Sequence, residues 1–160
     1  DVVITDGAFN AMLTNGGTNT DSILREIQTK LVPYTFGTAE VVAQPYSMII
    51  YETGSFFKPH RDTLRGKHHF GTLVITLPVQ GNSTGGTFVL SHTSASDPEN
   101  PKTIAQYSPA IEESKYHAFF TDVFHHVEPV TSGYRVALTY HLWAVPKSRG
   151  QLCNATAGPC

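Results

Sequence analysis

Two stretches of the chain carry side chains able to hold a metal ion. His60-Arg61-Asp62 sets an imidazole and a carboxylate two residues apart, and on an extended segment such neighbours project from one face. That pair is incomplete alone. Asp122-Val123-Phe124-His125-His126-Val127-Glu128-Pro129-Val130, about 60 residues further on, offers a second imidazole. Two histidines and one carboxylate on one side of a metal leave three positions open, the set favoured by non-haem Fe(II) oxygenases. Zinc accepts the same donors, but a closed structural zinc site wants four protein ligands, usually with cysteine. The only cysteines are Cys153 and Cys160, both in the tail. Iron, with open positions for chemistry, is the expectation.

Of the paired histidines, His125 is the expected ligand. Thr131-Ser132-Gly133 reads as a turn between two antiparallel strands, which sets residue 125 opposite residue 135. Directly opposed residues share a side of the sheet, so His125 and Arg135 face the same way and His126 faces away. Arg135 stands at the head of an otherwise apolar run, Val136-Ala137-Leu138-Thr139-Tyr140. A guanidinium on an interior face needs an anionic partner, and a planar fork beside an open metal site suits a carboxylate.

Other motifs lead nowhere. Gly81-Asn82-Ser83-Thr84-Gly85 fits the G-x-S-x-G pattern of serine hydrolases, but that motif opens a helix, and Gly86-Thr87-Phe88-Val89-Leu90 reads as a strand. Thr87 stands where a phosphate loop requires lysine. His68-His69, beside Arg65 and Lys67, is expected in a solvated loop, and His92, His117 and His141 as structural histidines. Asn82-Ser83-Thr84 and Asn154-Ala155-Thr156 match the glycosylation pattern, which is too short to carry weight.

The elements that must position these residues are mostly strands. Ile23, Leu24, Ile27 and Leu31 recur at helical spacing behind Thr20-Asp21, predicting one amphipathic helix over about 21–31, closed by Pro33. Beyond it run at least seven β-branched and aromatic segments separated by Gly, Pro, Asn and Ser: 39–44, 46–52, 72–78, 87–91, 103–107, 116–127 (as one strand or two) and 134–143. The stretch 92–102 is polar with two prolines and is expected to be an exposed loop. The fold expected is mostly β, a double-stranded β-helix (jelly roll) braced on its outer face by the N-terminal helix. Its expected parts are a supporting segment 1–38, a core 39–145 and a tail 146–160.

Composition narrows the function classes. With 160 residues, 40% hydrophobic and 15% charged, the chain suits one folded domain. Eleven basic against 13 acidic residues give a net charge of −2, so no basic excess favours nucleic acid. No apolar run is long enough to span a membrane, and no basic-then-apolar leader is visible. An intracellular location, cytoplasmic or nuclear, is the expectation, with no membrane or nucleic-acid partner and at most a single bridge between Cys153 and Cys160.

Three segments together resemble one family: 51–62 (YETGSFFKPHRD), Gly85-Gly86-Thr87-Phe88-Val89-Leu90, and 125–135 (HHVEPVTSGYR). In order and spacing they resemble the prolyl-4-hydroxylase-like branch of the 2-oxoglutarate/Fe(II)-dependent dioxygenases, over roughly residues 40–143. The resemblance implies Fe(II) held by His60, Asp62 and His125, with Arg135 anchoring the far carboxylate of 2-oxoglutarate. Tyr51, Leu73 and Thr139 are implied to line the cosubstrate pocket. It implies consumption of O2, decarboxylation of 2-oxoglutarate to succinate and hydroxylation of a substrate such as a peptide or protein side chain, and it admits ascorbate as a further cofactor. Collagen-type members usually carry lysine where this chain has Arg135, so the branch does not by itself name proline as substrate. Two other readings compete: a non-catalytic jelly-roll binding module, and a cupin-like metalloenzyme that does not use 2-oxoglutarate.

Overall fold

The computed structural model describes residues 3–4, 20–32, 39–79, 81–94, 97–108 and 114–146. Pro33, both cysteines and the Asn154 pattern lie outside these residues, as do most of the supporting segment and nearly all of the tail. In chain order the elements are β1 (Val3–Ile4), α1 (Thr20–Lys30), β2 (Ala39–Tyr51), β3 (Phe57–His60), β4 (His69–Leu77), β5 (Thr84–Gly85), β6 (Phe88–Ser94), β7 (Asp97–Tyr107), β8 (Lys115–Phe120), β9 (Phe124–Val127), β10 (Val130–Ser132) and β11 (Arg135–Pro146). They form a five-stranded sheet, β1-β2-β11-β4-β8, a four-stranded sheet, β3-β9-β6-β7, and a small pair, β10-β5. Pairing is antiparallel throughout, and the two larger sheets face each other as a jelly roll.

Alternation along the central strands builds two apolar layers. Leu73 and Ile75 of β4 and Leu138, Tyr140 and Leu142 of β11 face outward and pack under Ile23 and Ile27 of α1. Val74 and Ala137 face the other sheet, where they meet Phe88, Leu90, Phe119 and Val127. Because both faces of β4 are covered, it is buried along nearly its whole length. Each large apolar side chain so buried contributes about 1.5–3 kcal/mol. The helix is also tied down at both margins of the large sheet. The Gln28 amide donates to the Ala39 carbonyl at 2.8 Å and accepts from the Val41 N–H at 2.8 Å, occupying an edge of β2 that would otherwise present bare backbone. On β8 the Tyr116 hydroxyl donates to Glu26.

Three expectations need correction. Segments 39–44 and 46–52 are one strand, since the register slips between Thr139 and Tyr140, and Pro45, which lacks an N–H, sits at that irregularity. The stretch 92–102 is exposed at His92 and at 100–102, as expected, but it is not a loop among the described residues: 92–94 close β6 and 97–102 open β7, the sheet's edge strand, where Pro101 costs no ladder bond. Finally, residues 125 and 135 are not hairpin partners. Val130–Ser132 pairs with β5, after which the chain crosses to the other sheet, so β9 pairs with β3 and β6 while β11 pairs with β2 and β4. His125 and Arg135 do line a common cavity, from opposite sheets.

Candidate metal centre

The cavity opens between the two sheets and holds about 240 Å³, room for small molecules rather than a dinucleotide. On one wall His60, closing β3, is the cross-strand partner of His125 on β9, with ring centroids 4.2 Å apart. Each imidazole is oriented by the carbonyl two residues earlier: Nδ1 of His60 donates to Lys58 O at 2.9 Å, and Nδ1 of His125 to Val123 O at 3.1 Å. A carbonyl can only accept, so each Nδ1 carries a proton, and in the neutral ring this tautomer leaves the Nε2 lone pair for a metal. Burial pushes the His125 pKa below the ordinary histidine range, aided by neighbouring His60 and His126 and opposed by its bond to Val123 and by Asp62. The ring stays neutral, the form that ligates.

Asp62 follows β3 by two residues and is held at two points. Its N–H donates to Thr121 O at 3.2 Å, and its Oδ2 accepts the Thr72 hydroxyl at 2.5 Å. The remaining oxygen, Oδ1, stands 3.7 Å from Nε2 of His125, too far for a direct hydrogen bond and close enough for both to bind one ion. One ligand atom from each of His60, Asp62 and His125 lies within 4.8 Å of the others. Two imidazoles and a carboxylate fit Fe(II), and no fourth protein donor joins them among the described residues.

Deeper in the cavity lies Arg135, 2% exposed. Its Nε donates to Gly86 O at 3.0 Å and its Nη2 to the Thr76 hydroxyl at 2.9 Å, while the buried Nη1 has no hydrogen-bond partner among the described residues. No carboxylate pairs with it among the described residues. The guanidinium lies 5.6 Å from the Tyr51 ring centroid and 5.7 Å from that of Phe88. Burial lowers its pKa, but an arginine remains charged, and a buried unpaired charge is costly by several kcal/mol. A dicarboxylate reaching from the metal would supply the missing anion, so these residues fit 2-oxoglutarate. The glycine pair 85–86 makes this geometry available: Gly86 has φ +66°, and a Cβ there would come within 3.0 Å of Val130 Cγ2 and 3.3 Å of Arg135 Cδ.

Tyr51, the cross-strand partner of Arg135, is buried on the cavity wall, and its desolvated hydroxyl has a raised pKa despite the arginine. Thr139 also lines the wall, 2.6 Å from Ser47 Oγ. Leu73 does not. It is fully buried in the layer under α1, because alternation turns Thr72, Val74 and Thr76 inward and Leu73 outward. His69 is likewise not in a solvated loop: it is 3% exposed and its Nδ1 accepts the Arg65 N–H at 3.1 Å. His117 stacks on Tyr107 at 3.8 Å as a packed histidine, and His92 is exposed. The turn at Gly81–Gly85 leads into β6, and Ser83 is engaged as acceptor of the Tyr134 N–H at 3.1 Å. Thr72 and Thr76 were missed; the available signal was a pair of hydroxyls four residues apart on one face of an otherwise apolar strand.

Comparison with known proteins agrees with this geometry. Residues 46–143 match the model of the 2OG-Fe(II) oxygenase superfamily. No curated protein matches the chain. Among solved structures, an oxidoreductase of the 2OG-Fe(II) oxygenase family from Burkholderia pseudomallei superposes with a TM-score of 0.51 at 22% identity, over 78% of this chain and 55% of that one. This chain thus spans about half the length of that protein. A prolyl-4-hydroxylase from Pseudomonas putida gives 0.50 at 18% identity, covering 91% and 71% of the two chains. The viral collagen prolyl hydroxylase of Paramecium bursaria Chlorella virus-1, solved with 2OG, gives 0.53 at 15%, covering 90% and 78%. These likenesses establish a shared fold, and with more than half of its length matched by the family model, the chain belongs to the 2OG-Fe(II) oxygenase superfamily.

Proposed function

We propose that this chain is an Fe(II)- and 2-oxoglutarate-dependent dioxygenase that hydroxylates a C–H bond of its substrate. His60, Asp62 and His125 hold the metal through two Nε2 atoms and Oδ1. Arg135, braced by Thr76 and Gly86, takes the far carboxylate on its free Nη1, while Tyr51 and Thr139 shape the wall around it. Bound Fe(II) with 2-oxoglutarate supplies the oxidising power: O2 is consumed, 2-oxoglutarate leaves as succinate and CO2, and one oxygen atom enters the substrate. The protein's own part is placement. Two strand-borne histidines with fixed tautomers and a carboxylate pinned just after β3 would hold the metal, and the buried arginine would orient the cosubstrate. Prolyl hydroxylases among the structural neighbours support a peptide or protein side chain, such as proline, as the substrate. Ascorbate belongs to the same reading as an accessory cofactor.

The observation that carries this reading is the buried Arg135, whose Nη1 meets no acceptor among the described residues. A cupin-like enzyme without 2-oxoglutarate would leave that charge uncompensated. Anaerobic protein is titrated with Fe(II) and then 2-oxoglutarate; a visible charge-transfer band is expected on the second addition, followed by succinate when O2 is admitted. A band without succinate under any substrate screened would support a binding module, and absence of the band would overturn the assignment.

A further inference from the structure

The cavity continues past the metal to a mouth whose charges are unbalanced. A divalent ion, Asp62, Arg135 and a dicarboxylate cancel one another, and among the described residues Asp62 is the only carboxylate on the cavity wall. Two further arginines remain there, Arg61 and Arg65. Arg61 is engaged, donating through Nη2 to Thr93 at 2.7 Å and lying 4.2 Å above the Phe124 ring. Arg65 pairs with no carboxylate among the described residues and stands 5.8 Å from the Tyr46 ring centroid. Tyr46 in turn packs on His141 at 4.3 Å, so the three side chains form one wall from rim to interior.

The segment presenting Arg65 is pinned. The Arg65 N–H bonds to His69 Nδ1 at 3.1 Å, the His69 N–H to Gly66 O at 3.1 Å, and the Ala144 N–H to His68 O at 2.8 Å, while Gly66 abuts the Trp143 ring. This wall is also beyond the cosubstrate's reach. Arg135 and His141 are six residues apart on one strand, about 20 Å, far longer than a five-carbon dicarboxylate anchored on Arg135. An exposed planar guanidinium beside an aromatic ring, carried on a pinned backbone and paired with no carboxylate among the described residues, suits bidentate capture of a carboxylate.

We propose that Arg65, with Tyr46 and His141, is a specificity subsite for a carboxylate of the substrate, so that the molecule hydroxylated is an acid: a peptide with Asp or Glu beside the modified residue, or a small carboxylic acid. The inference rests on the oxygenase reading above. Its test uses anaerobic protein loaded with Fe(II) and 2-oxoglutarate, with the single tryptophan, Trp143 under the Arg65 segment, as a fluorescent reporter alongside calorimetry. One arm titrates hexapeptides identical except for Glu, Gln or Lys after a central proline; the other titrates N-acetylproline against its amide. The Glu peptide or the free acid should bind at least tenfold more tightly than its neutral and basic counterparts, and the arm showing the preference names the source of the carboxylate. Arg65→Gln should level the series, and Arg65→Glu should shift the preference to the Lys peptide, both with the charge-transfer band retained. Equal binding across the wild-type series, undetectable binding included, or an acid preference surviving in Arg65→Glu, overturns the subsite. Loss of the band in the wild type strikes the oxygenase reading instead, so the two failures are distinct.

Discussion

Thr72 of the central sheet donates its hydroxyl to Oδ2 of Asp62 at 2.5 Å, which leaves Oδ1 turned toward His125. The bond joins a residue of β4 to a carboxylate on the loop after β3, and through it the larger sheet fixes a ligand that the smaller sheet's strand delivers. A carboxylate with one oxygen committed presents the other at a defined angle, and outer partners of this kind are worth about 10- to 100-fold in metal affinity.

Thr72→Val keeps the shape and β-branching of the side chain while removing the donor. Fe(II) affinity, measured by anaerobic titration, should fall by about 10- to 100-fold with the circular dichroism spectrum unchanged. Thr72→Ser should restore most of the loss. An unchanged affinity in the valine variant would mean that Asp62 is held by its backbone bond to Thr121 alone.

Arg135 carries opposite consequences for stability and for binding. Its charge is buried without an ion pair among the described residues, so Arg135→Met should leave the ligand-free protein at least as stable as the wild type in urea. The same change should weaken 2-oxoglutarate binding at least about 30-fold, the scale of a truncated buried charge pair, with Fe(II) still bound. The stabilisation that 2-oxoglutarate confers on the Fe(II) wild type, about 2.7 kcal/mol at a hundredfold excess over Kd, should fall to about 0.9 kcal/mol or less in the variant at the same concentration.

How far the site could be seen in the sequence depended on whether a residue's role was local or set by pairing. His60 and Asp62 are two apart, and the tautomer-setting carbonyls of Lys58 and Val123 are two residues from their rings, so the ligand set is nearly a property of two short segments. The convergence of His125 and Arg135 was expected for a wrong reason: no hairpin joins them, and they meet because β9 and β11 belong to facing sheets. Thr72 and Thr76 stayed hidden because threonine is common in any strand, and their partners are fixed only once β4 has paired with β11. Leu73 was misplaced for the same reason, a one-residue error in facing that no local signal corrects.

His117 should make acid stability pH-dependent. Burial pushes its pKa down from 6.5 to about 4, with Arg135 and Lys115 adding to the effect. Between those values the unfolded chain holds a proton that the folded chain refuses, so stability rises with pH across this window, is complete above about 6.5 and is lost as pH falls toward 4. His69, His125 and His141, also lowered chiefly by burial, share that slope. His117→Phe keeps a ring against Tyr107 and Phe88 and should reduce the drop in urea midpoint between pH 7 and pH 5. A drop equal to the wild type's would show that His117 is protonated in the native state.

Leu73 separates the apolar layer from the site most sharply, because its neighbours Thr72 and Val74 both line the cavity while it does not. Fully buried under α1, it should cost about 2–5 kcal/mol when cut to alanine, since the helix and sheet can close only part of the void. Yet Leu73→Ala should bind Fe(II) and 2-oxoglutarate with wild-type affinity at temperatures where the variant remains folded, for the backbone that carries Thr72 is held on both sides by β11 and β8. A large fall in 2-oxoglutarate affinity at full foldedness would instead place this side chain on the cosubstrate's wall and require β4 to present its other face there.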